Sequence, residues 1–167
     1  MRKLKIVLSV QKKIFYNFLF IFLITTSSLA NEIITGYPKV IDGDTVHINA
    51  SKIRLNGIDA PEKEQICSKF NTEYNCGITT TQALTEKINN QIISCKLQPS
   101  KDRYGRYIGV CFLENLDLNK WMVRNGYAVA YRRYSKDYIE DEEYAKKNKI
   151  GIWEGNFLTP EKWRKAN

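Results

Sequence analysis

The chain has 167 residues, of which 43% are apolar and 26% are charged. This is the composition of a folded globular protein, and it excludes a disordered or collagen-like chain. The formal charge of +8 indicates an anionic partner only weakly, because residues 1–30 hold five of the 26 basic residues and no acidic residue. Residues 31–167 have 21 basic and 18 acidic residues, so this part of the chain is only mildly basic.

The N-terminal segment has the pattern of a signal peptide. Basic residues within 2–13 precede the apolar run 14–24 (IFYNFLFIFLI), and the small residues that signal peptidase reads end at Ala30. The apolar run is shorter than the roughly 20 residues of a membrane-spanning helix. We therefore expect residues 1–30 to be a signal peptide, cleaved to leave a single periplasmic or secreted domain at 31–167 without stable membrane association. An uncleaved anchor is the alternative.

The predicted elements place strands first and helices later. Short β-prone runs follow one another within residues 36–55, and residues 61–78, which lack periodicity, are predicted to be a loop. Helices are predicted at 79–90, 118–125 and 137–150, and strands at 92–97 and 107–112. The last helix has acidic residues near its start and lysines near its end, which suits the helix dipole and is typical of a solvated face. This order favours a small β-barrel or sheet with packed helices.

The four cysteines predict disulfides rather than a metal site. Their number is even, as is typical of exported proteins, and the sequence has no C-x-x-C motif and a single histidine. The turn-like residues 102–105 (DRYG) lie between two predicted strands, and pairing about this turn places Cys95 opposite Cys111 within one residue. We predict the disulfide Cys95–Cys111 and, by elimination, the disulfide Cys67–Cys76.

Four short segments contain residues suited to catalysis or binding. They are 42–45 (DGDT), 54–62 (RLNGIDAPE), 102–106 (DRYGR) and 127–134 (YAVAYRRY). Each segment alone is compatible with an ordinary turn or strand end. An EF-hand loop beginning at Asp42 is excluded, because its sixth position is His47 rather than glycine.

Together, the four segments indicate the chemistry of phosphodiester hydrolysis. Their carboxylates are oxygen ligands of the kind that Ca²⁺ and Mg²⁺ prefer. Their arginines can bind phosphate oxygens bidentately, and a further carboxylate can orient or deprotonate a water molecule. Their tyrosines can stack on nucleic-acid bases.

The order and spacing of these motifs resemble the thermonuclease family, typified by staphylococcal nuclease. The resemblance continues through 118–119 (LN), 122–128 (MVRNGYA) and 151–153 (GIW), and covers about residues 37–155. It implies an α+β fold, a five-stranded OB-fold barrel with three packed helices. It also implies a monomeric, exported, Ca²⁺-dependent nuclease that cuts DNA and RNA and leaves 3′-phosphate ends.

The resemblance also implies a role for each site residue. Asp44 and Asp59 would bind Ca²⁺ through side-chain oxygens, and Ala60 would bind it through its main-chain carbonyl. Glu62 would hold the attacking water as general base. The phosphate-binding arginines would be Arg54 and Arg106, and the substrate contacts would be Tyr104, Tyr131, Arg132 and Tyr134.

Departures from the best-known member leave an alternative function to consider. That member has threonine where this chain has Ala60, contains no cysteine, and has a lysine-rich loop that is not matched after Glu62. The alternative is a catalytically inactive nuclease-fold module that binds nucleic acid or a protein partner. The intact set of proposed metal ligands, arginines and glutamate favours the enzyme.

Overall fold

The computed structural model describes residues 32–167, and the predictions for residues 1–30 lie outside the described residues. The strands are β1 Ile33–Gly36, β2 Pro38–Asp42, β3 Thr45–Ile48, β4 Ser51–Leu55, β5 Ile58–Asp59, β6 Ile66–Lys69, β7 Thr72–Asn75, β8 Ile93–Lys101, β9 Tyr107–Leu113, β10 Leu116–Asp117 and β11 Val129–Ala130. The helices are α1 Cys76–Ile88, α2 Leu118–Arg124, α3 Ile139–Lys147 and α4 Pro160–Ala166, with a 3₁₀ turn at Gly151–Glu154. None of the helices in this part of the chain is long and apolar enough to cross a membrane.

The main sheet is curled so that its two edges belong to neighbouring segments of the chain. Its strand order is β1-β8-β9-β4-β3-β2, with β10 paired to β9. The edge strands β1 and β2 are separated in sequence only by Tyr37, so the sheet must curve until its edges approach each other. Taken as one bent strand, β1 and β2 complete a five-stranded barrel with β3, β4, β8 and β9. The predicted OB-like α+β fold is confirmed.

The barrel interior forms because alternate residues of neighbouring strands point inward. Ile93, Cys95 and Leu97 are the buried residues of β8. Cys95 lies directly opposite Cys111 in β9, and the two form a disulfide within the core. This is the pairing that the turn at 102–105 predicts.

The segment predicted to be a loop contains a β-hairpin, so that prediction is wrong for most of residues 61–78. Strands β6 and β7 pair antiparallel, and Phe70 and Asn71 form the hairpin tip with positive φ. The disulfide Cys67–Cys76 ties this hairpin to the first residue of α1. α1 also begins earlier than predicted, because the side chain of Asn75 caps it by accepting a hydrogen bond from the amide of Ile78.

The structure adds α4 to the three predicted helices. Pro160 stands at its first position, where the missing N–H leaves no unsatisfied donor. The chain before α4 is fixed to the β6–β7 hairpin, because Ser68 and Asn156 exchange two main-chain hydrogen bonds of 2.9 Å. The Gln65 side chain also donates to the carbonyl oxygen of Leu158 at 2.7 Å. These contacts bring α4 close to the segment that follows β5.

Candidate active site

Asp44 is buried where β2 turns into β3. The next residue, Thr45, pairs with Arg54 of β4. This register places the oppositely charged side chains of Asp44 and Arg54 next to each other. Arg54 Nη1 donates to Asp44 Oδ1 at 2.5 Å, and the main-chain N–H of Ala60 donates to Asp44 Oδ2 at 3.0 Å. Both oxygens of this 3% exposed carboxylate are therefore held by elements on its two sides.

Arg54 joins Asp44 to a second buried carboxylate. Its Nη2 donates to Asp59 Oδ1 at 2.8 Å, and Asp59 is only 1% exposed. Burial raises the pKa of Asp44 to about 7, because desolvation of the carboxylate outweighs the opposing charge of Arg54. One guanidinium thus bridges two buried carboxylates.

Glu62 lies at the edge of this cluster on a rigid main chain. Its amide donates to Gln65 Oε1 at 3.2 Å, and its carbonyl accepts from the amide of Gln65 at 2.8 Å. Gln65 is fully buried, whereas the Glu62 side chain is 34% exposed. The structure thus fixes the main chain of Glu62 and leaves its carboxylate within reach of water.

The C-terminal helix contributes a residue that the sequence did not predict. Arg164 Nη1 donates to Glu62 Oε1 at 2.7 Å and to Asp59 Oδ1 at 3.0 Å, while its Nη2 donates to Asp59 Oδ2 at 2.9 Å. Arg164 is 102 positions from Glu62 and lies in no recognisable motif. We define Asp44, Arg54, Asp59, Glu62 and Arg164 as the acidic cluster.

Arg106 is held at the start of β9 by the predicted DRYGR turn. Its Nε donates to Asp102 Oδ2 at 2.7 Å, and Asp102 Oδ1 accepts from the amide of Arg106 at 2.9 Å. The structure therefore pairs Arg106 with Asp102 rather than with the acidic cluster. Arg54 is opposite Ile108 in the parallel β4–β9 pair. Arg106 immediately precedes β9 and is two residues before Ile108.

Two of the predicted aromatic residues lie next to the acidic cluster. The rings of Tyr131 and Tyr134 meet edge to face with centroids 4.8 Å apart, and the amide of Tyr131 donates to the carbonyl of Gly57 at 2.9 Å. Burial raises the pKa of the Tyr131 phenol, and the negative charge of Asp59 raises it further. Tyr131 is thus close enough to the cluster to experience its charge.

The other two predicted substrate contacts lie elsewhere on the surface. Tyr104 is 67% exposed at the tip of the DRYGR turn, and the guanidinium of Arg106 lies 5.4 Å from its ring centroid. Arg132 is directed toward α3, where its Nη1 and Nη2 pair with Glu142 at 2.5 Å and Glu143 at 3.0 Å. The structure therefore brings Tyr104 to Arg106 and leaves Arg132 engaged with α3.

The oxygen atoms at and near Asp44 and Asp59 are ligands of the kind that a hard cation prefers. Within residues 32–167, no group of three or more His, Cys, Asp or Glu side chains is arranged to hold a metal ion. A cation at this site would thus need a main-chain oxygen in addition to the two carboxylates. Ala60 follows Asp59 directly and hydrogen-bonds Asp44, and Ca²⁺ accepts both carboxylate and carbonyl oxygens. The residue types therefore suit Ca²⁺ through Asp44, Asp59 and the carbonyl of Ala60.

Comparison with known protein families identifies the family to which this chain is related. The family model described as "Staphylococcal nuclease homologue" matches residues 52–155, which is more than half of the chain. The chain belongs to the staphylococcal nuclease family. The matched range includes Arg54, Asp59, Glu62 and Arg106, whereas Asp44 precedes it and Arg164 follows it.

Several curated relatives are similar over most of their length. "Succinoglycan biosynthesis protein ExoI" of Rhizobium meliloti is 36% identical over 135 residues, covering 78% of this chain and 70% of the relative. An "Uncharacterized endonuclease" of Haemophilus influenzae is 32% identical, with coverages of 76% and 70%. A "Micrococcal nuclease" of Shigella flexneri is 30% identical, with coverages of 77% and 79%. Membership of this family makes the chain a hydrolase of the nuclease type.

Proposed function

We propose that this protein is an exported, Ca²⁺-dependent endonuclease that hydrolyses phosphodiester bonds of both DNA and RNA and leaves 3′-phosphate ends. The observation that carries the proposal is the placement of Glu62 beside Asp59, which Arg54 joins to Asp44. In this arrangement a partly exposed carboxylate, Glu62, lies next to two buried carboxylates that an arginine joins, which supports the proposal. The position of the cleaved bond follows from the resemblance to staphylococcal nuclease.

Arg54 and Arg106 would bind the phosphate that is cleaved. Arg54 uses one bond from each of its two terminal nitrogens to hold the carboxylates of Asp44 and Asp59. A guanidinium has five N–H donors, so donors remain for a phosphate oxygen. Arg106 would offer a second guanidinium from the start of β9, the strand next to β4. Because both groups are fixed by carboxylates before substrate binds, they can stabilise the charge that develops on the phosphate in the transition state.

Glu62 would receive the proton of the attacking water. Its carboxylate is partly exposed, while its main chain is fixed by Gln65 on one side and follows Pro61 on the other. A general base must lie within hydrogen-bond reach of the proton that it removes, and a rigid main chain favours this. Bound Ca²⁺, held by Asp44, Asp59 and the Ala60 carbonyl, would supply positive charge to the phosphate and to the water.

The aromatic residues support binding without sequence preference. The Tyr131–Tyr134 pair lies beside the acidic cluster, and Tyr104 lies beside Arg106. Every base has a face that can stack on a tyrosine ring, so such contacts suit both DNA and RNA. Arg132 would contact substrate only by leaving Glu142 and Glu143, which makes it the weakest of the predicted substrate contacts.

Export to the periplasm or medium is supported by the two disulfides and by the N-terminal sequence pattern. The structure pairs Cys67 with Cys76 and Cys95 with Cys111, and disulfides persist in oxidising compartments. After removal of the signal peptide, we propose a monomer without stable membrane association. Its partners would be the nucleic acids that it cleaves.

The proposed function is tested by cleavage of defined oligonucleotides. Oxidised protein is incubated with single-stranded DNA, double-stranded DNA and RNA, with Ca²⁺ or with excess chelator, and the product ends are identified. The expected result is Ca²⁺-dependent cleavage with 3′-phosphate ends. Folded protein that binds these nucleic acids without cleaving them would contradict the proposal and identify an inactive binding module.

A further inference from the structure

Arg164 occupies the carboxylate oxygens that the proposed reaction requires. Its guanidinium binds both oxygens of Asp59, at 3.0 and 2.9 Å, and one oxygen of Glu62, at 2.7 Å. Asp59 Oδ1 also accepts from Arg54. A cation bound through Asp59 would therefore meet a guanidinium at hydrogen-bond distance from the same carboxylate, and like charges at this separation repel each other.

The contact with Glu62 has a similar consequence for the base. Glu62 Oε1, one of the two oxygens that could hold the attacking water, already accepts a hydrogen bond from Arg164 Nη1 at 2.7 Å. Arg164 thus occupies oxygens that both steps need, namely binding of the cation at Asp59 and binding of the attacking water at Glu62.

We propose that Arg164 is a surrogate for the cation, which closes the site in the metal-free protein and which the cation displaces on binding. The proposal rests on the proposed function, because it assumes a cation at Asp59. Arg164 supplies the second positive charge that the buried carboxylates of Asp44 and Asp59 lack when only Arg54 is present. A divalent cation would supply that charge in its place.

The local architecture allows Arg164 to leave without unfolding the domain. The chain up to Leu158 is anchored by Gln65 and by the main-chain pairing of Ser68 with Asn156. Beyond that point, the side-chain bonds of Lys165 and Asn167 remain within α4. The ion pairs of Arg164 with Asp59 and Glu62 connect α4 to the rest of the acidic cluster. A seven-residue helix has little stability of its own, and its buried residue, Pro160, is at its first position. Loss of these ion pairs should therefore release the part of α4 that follows Pro160.

The test is the affinity for Ca²⁺ itself, measured by isothermal titration calorimetry on oxidised protein at fixed ionic strength. The variants are Arg164→Gln, which removes the competing charge, and Arg164→Lys, which keeps the charge but loses the fork that binds both Asp59 oxygens. Lys162→Gln is the matched control, because it removes the same charge from an exposed position on the same helix. Asp59→Asn removes the proposed ligand.

We expect Arg164→Gln to bind Ca²⁺ about 10-fold more tightly than the wild-type protein. This is the gain expected if Arg164 leaves the site open in about one tenth of the wild-type molecules. Arg164→Lys should show an intermediate gain, Lys162→Gln little change, and Asp59→Asn no binding. Unchanged or weaker binding by Arg164→Gln would overturn the proposal. Equal gains in Arg164→Gln and Lys162→Gln would attribute the effect to net charge and would also overturn it.

The same experiment separates this inference from the proposed function. If wild type and Arg164→Gln bind Ca²⁺ equally well and Asp59→Asn does not bind it, the cation site stands and only the role of Arg164 is overturned. If neither wild type nor Arg164→Gln binds Ca²⁺, both proposals fail.

Hydrogen exchange provides a second readout that does not depend on turnover. We expect Ca²⁺ to speed amide exchange in residues 161–167 of the wild-type protein and to leave exchange in α1 unchanged. Slower or unchanged exchange in α4 on addition of Ca²⁺ would contradict its release.

Discussion

The main-chain carbonyl of Glu62 packs directly against Gly77. A Cβ atom at position 77 would lie 1.8 Å from the carbonyl oxygen of Glu62, far inside contact distance. The first turn of α1 therefore supports the main chain that carries the proposed general base. Only glycine fits at this contact, and the neighbouring Cys76 fixes the start of the helix through its disulfide with Cys67.

We expect Gly77→Ala to lower kcat by about 10²-fold, because the added methyl group must displace the main chain of Glu62 and misplacement by about 1 Å can have this effect. Single-turnover cleavage measures the rate, and circular dichroism establishes that the variant is folded. Gln82→Ala, on the exposed side of the same helix, is the control and should cleave like wild type. A folded Gly77→Ala variant with wild-type kcat would show that the contact does not position Glu62.

The two disulfides should differ in their effect on activity. Chain-entropy arguments give similar stabilities of about 3 kcal/mol for loops of this size, with sequence separations of 9 and 16. Cys67 lies in the β6–β7 hairpin, two residues after Gln65, whereas Cys95 and Cys111 lie inside the barrel. We therefore expect the Cys67→Ala/Cys76→Ala double variant to lose more cleavage activity than its loss of folded protein explains. The Cys95→Ala/Cys111→Ala double variant should lose activity only in proportion to the fraction of protein that is unfolded.

Urea unfolding and cleavage below the unfolding transition measure these two effects separately. Equal specific activity of the two double variants, after correction for the folded fraction, would contradict a positioning role for the Cys67–Cys76 disulfide.

Arg54 should be important for stability as well as for catalysis. Arg54→Ala leaves the buried carboxylates of Asp44 and Asp59 without this partner, and removing one member of a buried ion pair typically destabilises by about 3–5 kcal/mol. Because Ca²⁺ would bind the folded state at these carboxylates, it should restore part of the loss. Chemical denaturation with Ca²⁺ and with chelator tests this. A variant that unfolds like wild type, or that Ca²⁺ does not stabilise, would contradict the arrangement.

Asp102 should matter because it aims Arg106. Asp102→Ala removes the hydrogen bonds that fix the guanidinium and the main chain of Arg106, and we expect kcat to fall by about 10-fold through misorientation of that group. Lys101→Ala is the control, because Lys101 is exposed beside the same turn and its ammonium lies over the ring of Tyr107. Wild-type kcat in Asp102→Ala would indicate that Arg106 does not need this partner.

The parts of the fold and site that follow from local pattern could be predicted from the sequence. The turn at 102–105 fixes which residues of the flanking strands face each other, so it predicts the position of Cys95 opposite Cys111. Likewise, Asp44, Arg54, Asp59 and Glu62 belong to short motifs, although the sequence does not show which atoms bind. The structure adds that the guanidinium of Arg54 bridges the carboxylates of Asp44 and Asp59.

The remaining features depend on contacts that local pattern does not encode. The β6–β7 hairpin consists of short, largely polar strands without alternation, and its stability comes from Cys67–Cys76 and from the pairing with Asn156. Arg132 belongs to a segment typical of nucleic-acid contacts, but the acids of α3 determine its direction. Arg164 reaches Asp59 only because the chain folds back across the hairpin, which no motif indicates.

The most direct test of the proposed active site is single-turnover cleavage by Glu62→Gln at saturating Ca²⁺. The substitution keeps the shape of the side chain and removes its capacity to accept a proton at neutral pH. We expect the rate to fall by about 10²–10⁴-fold, the usual contribution of a general base, while Ca²⁺ still binds and the protein remains folded. A folded, Ca²⁺-binding Glu62→Gln variant that cleaves at the wild-type rate would contradict the assignment of Glu62 as the base.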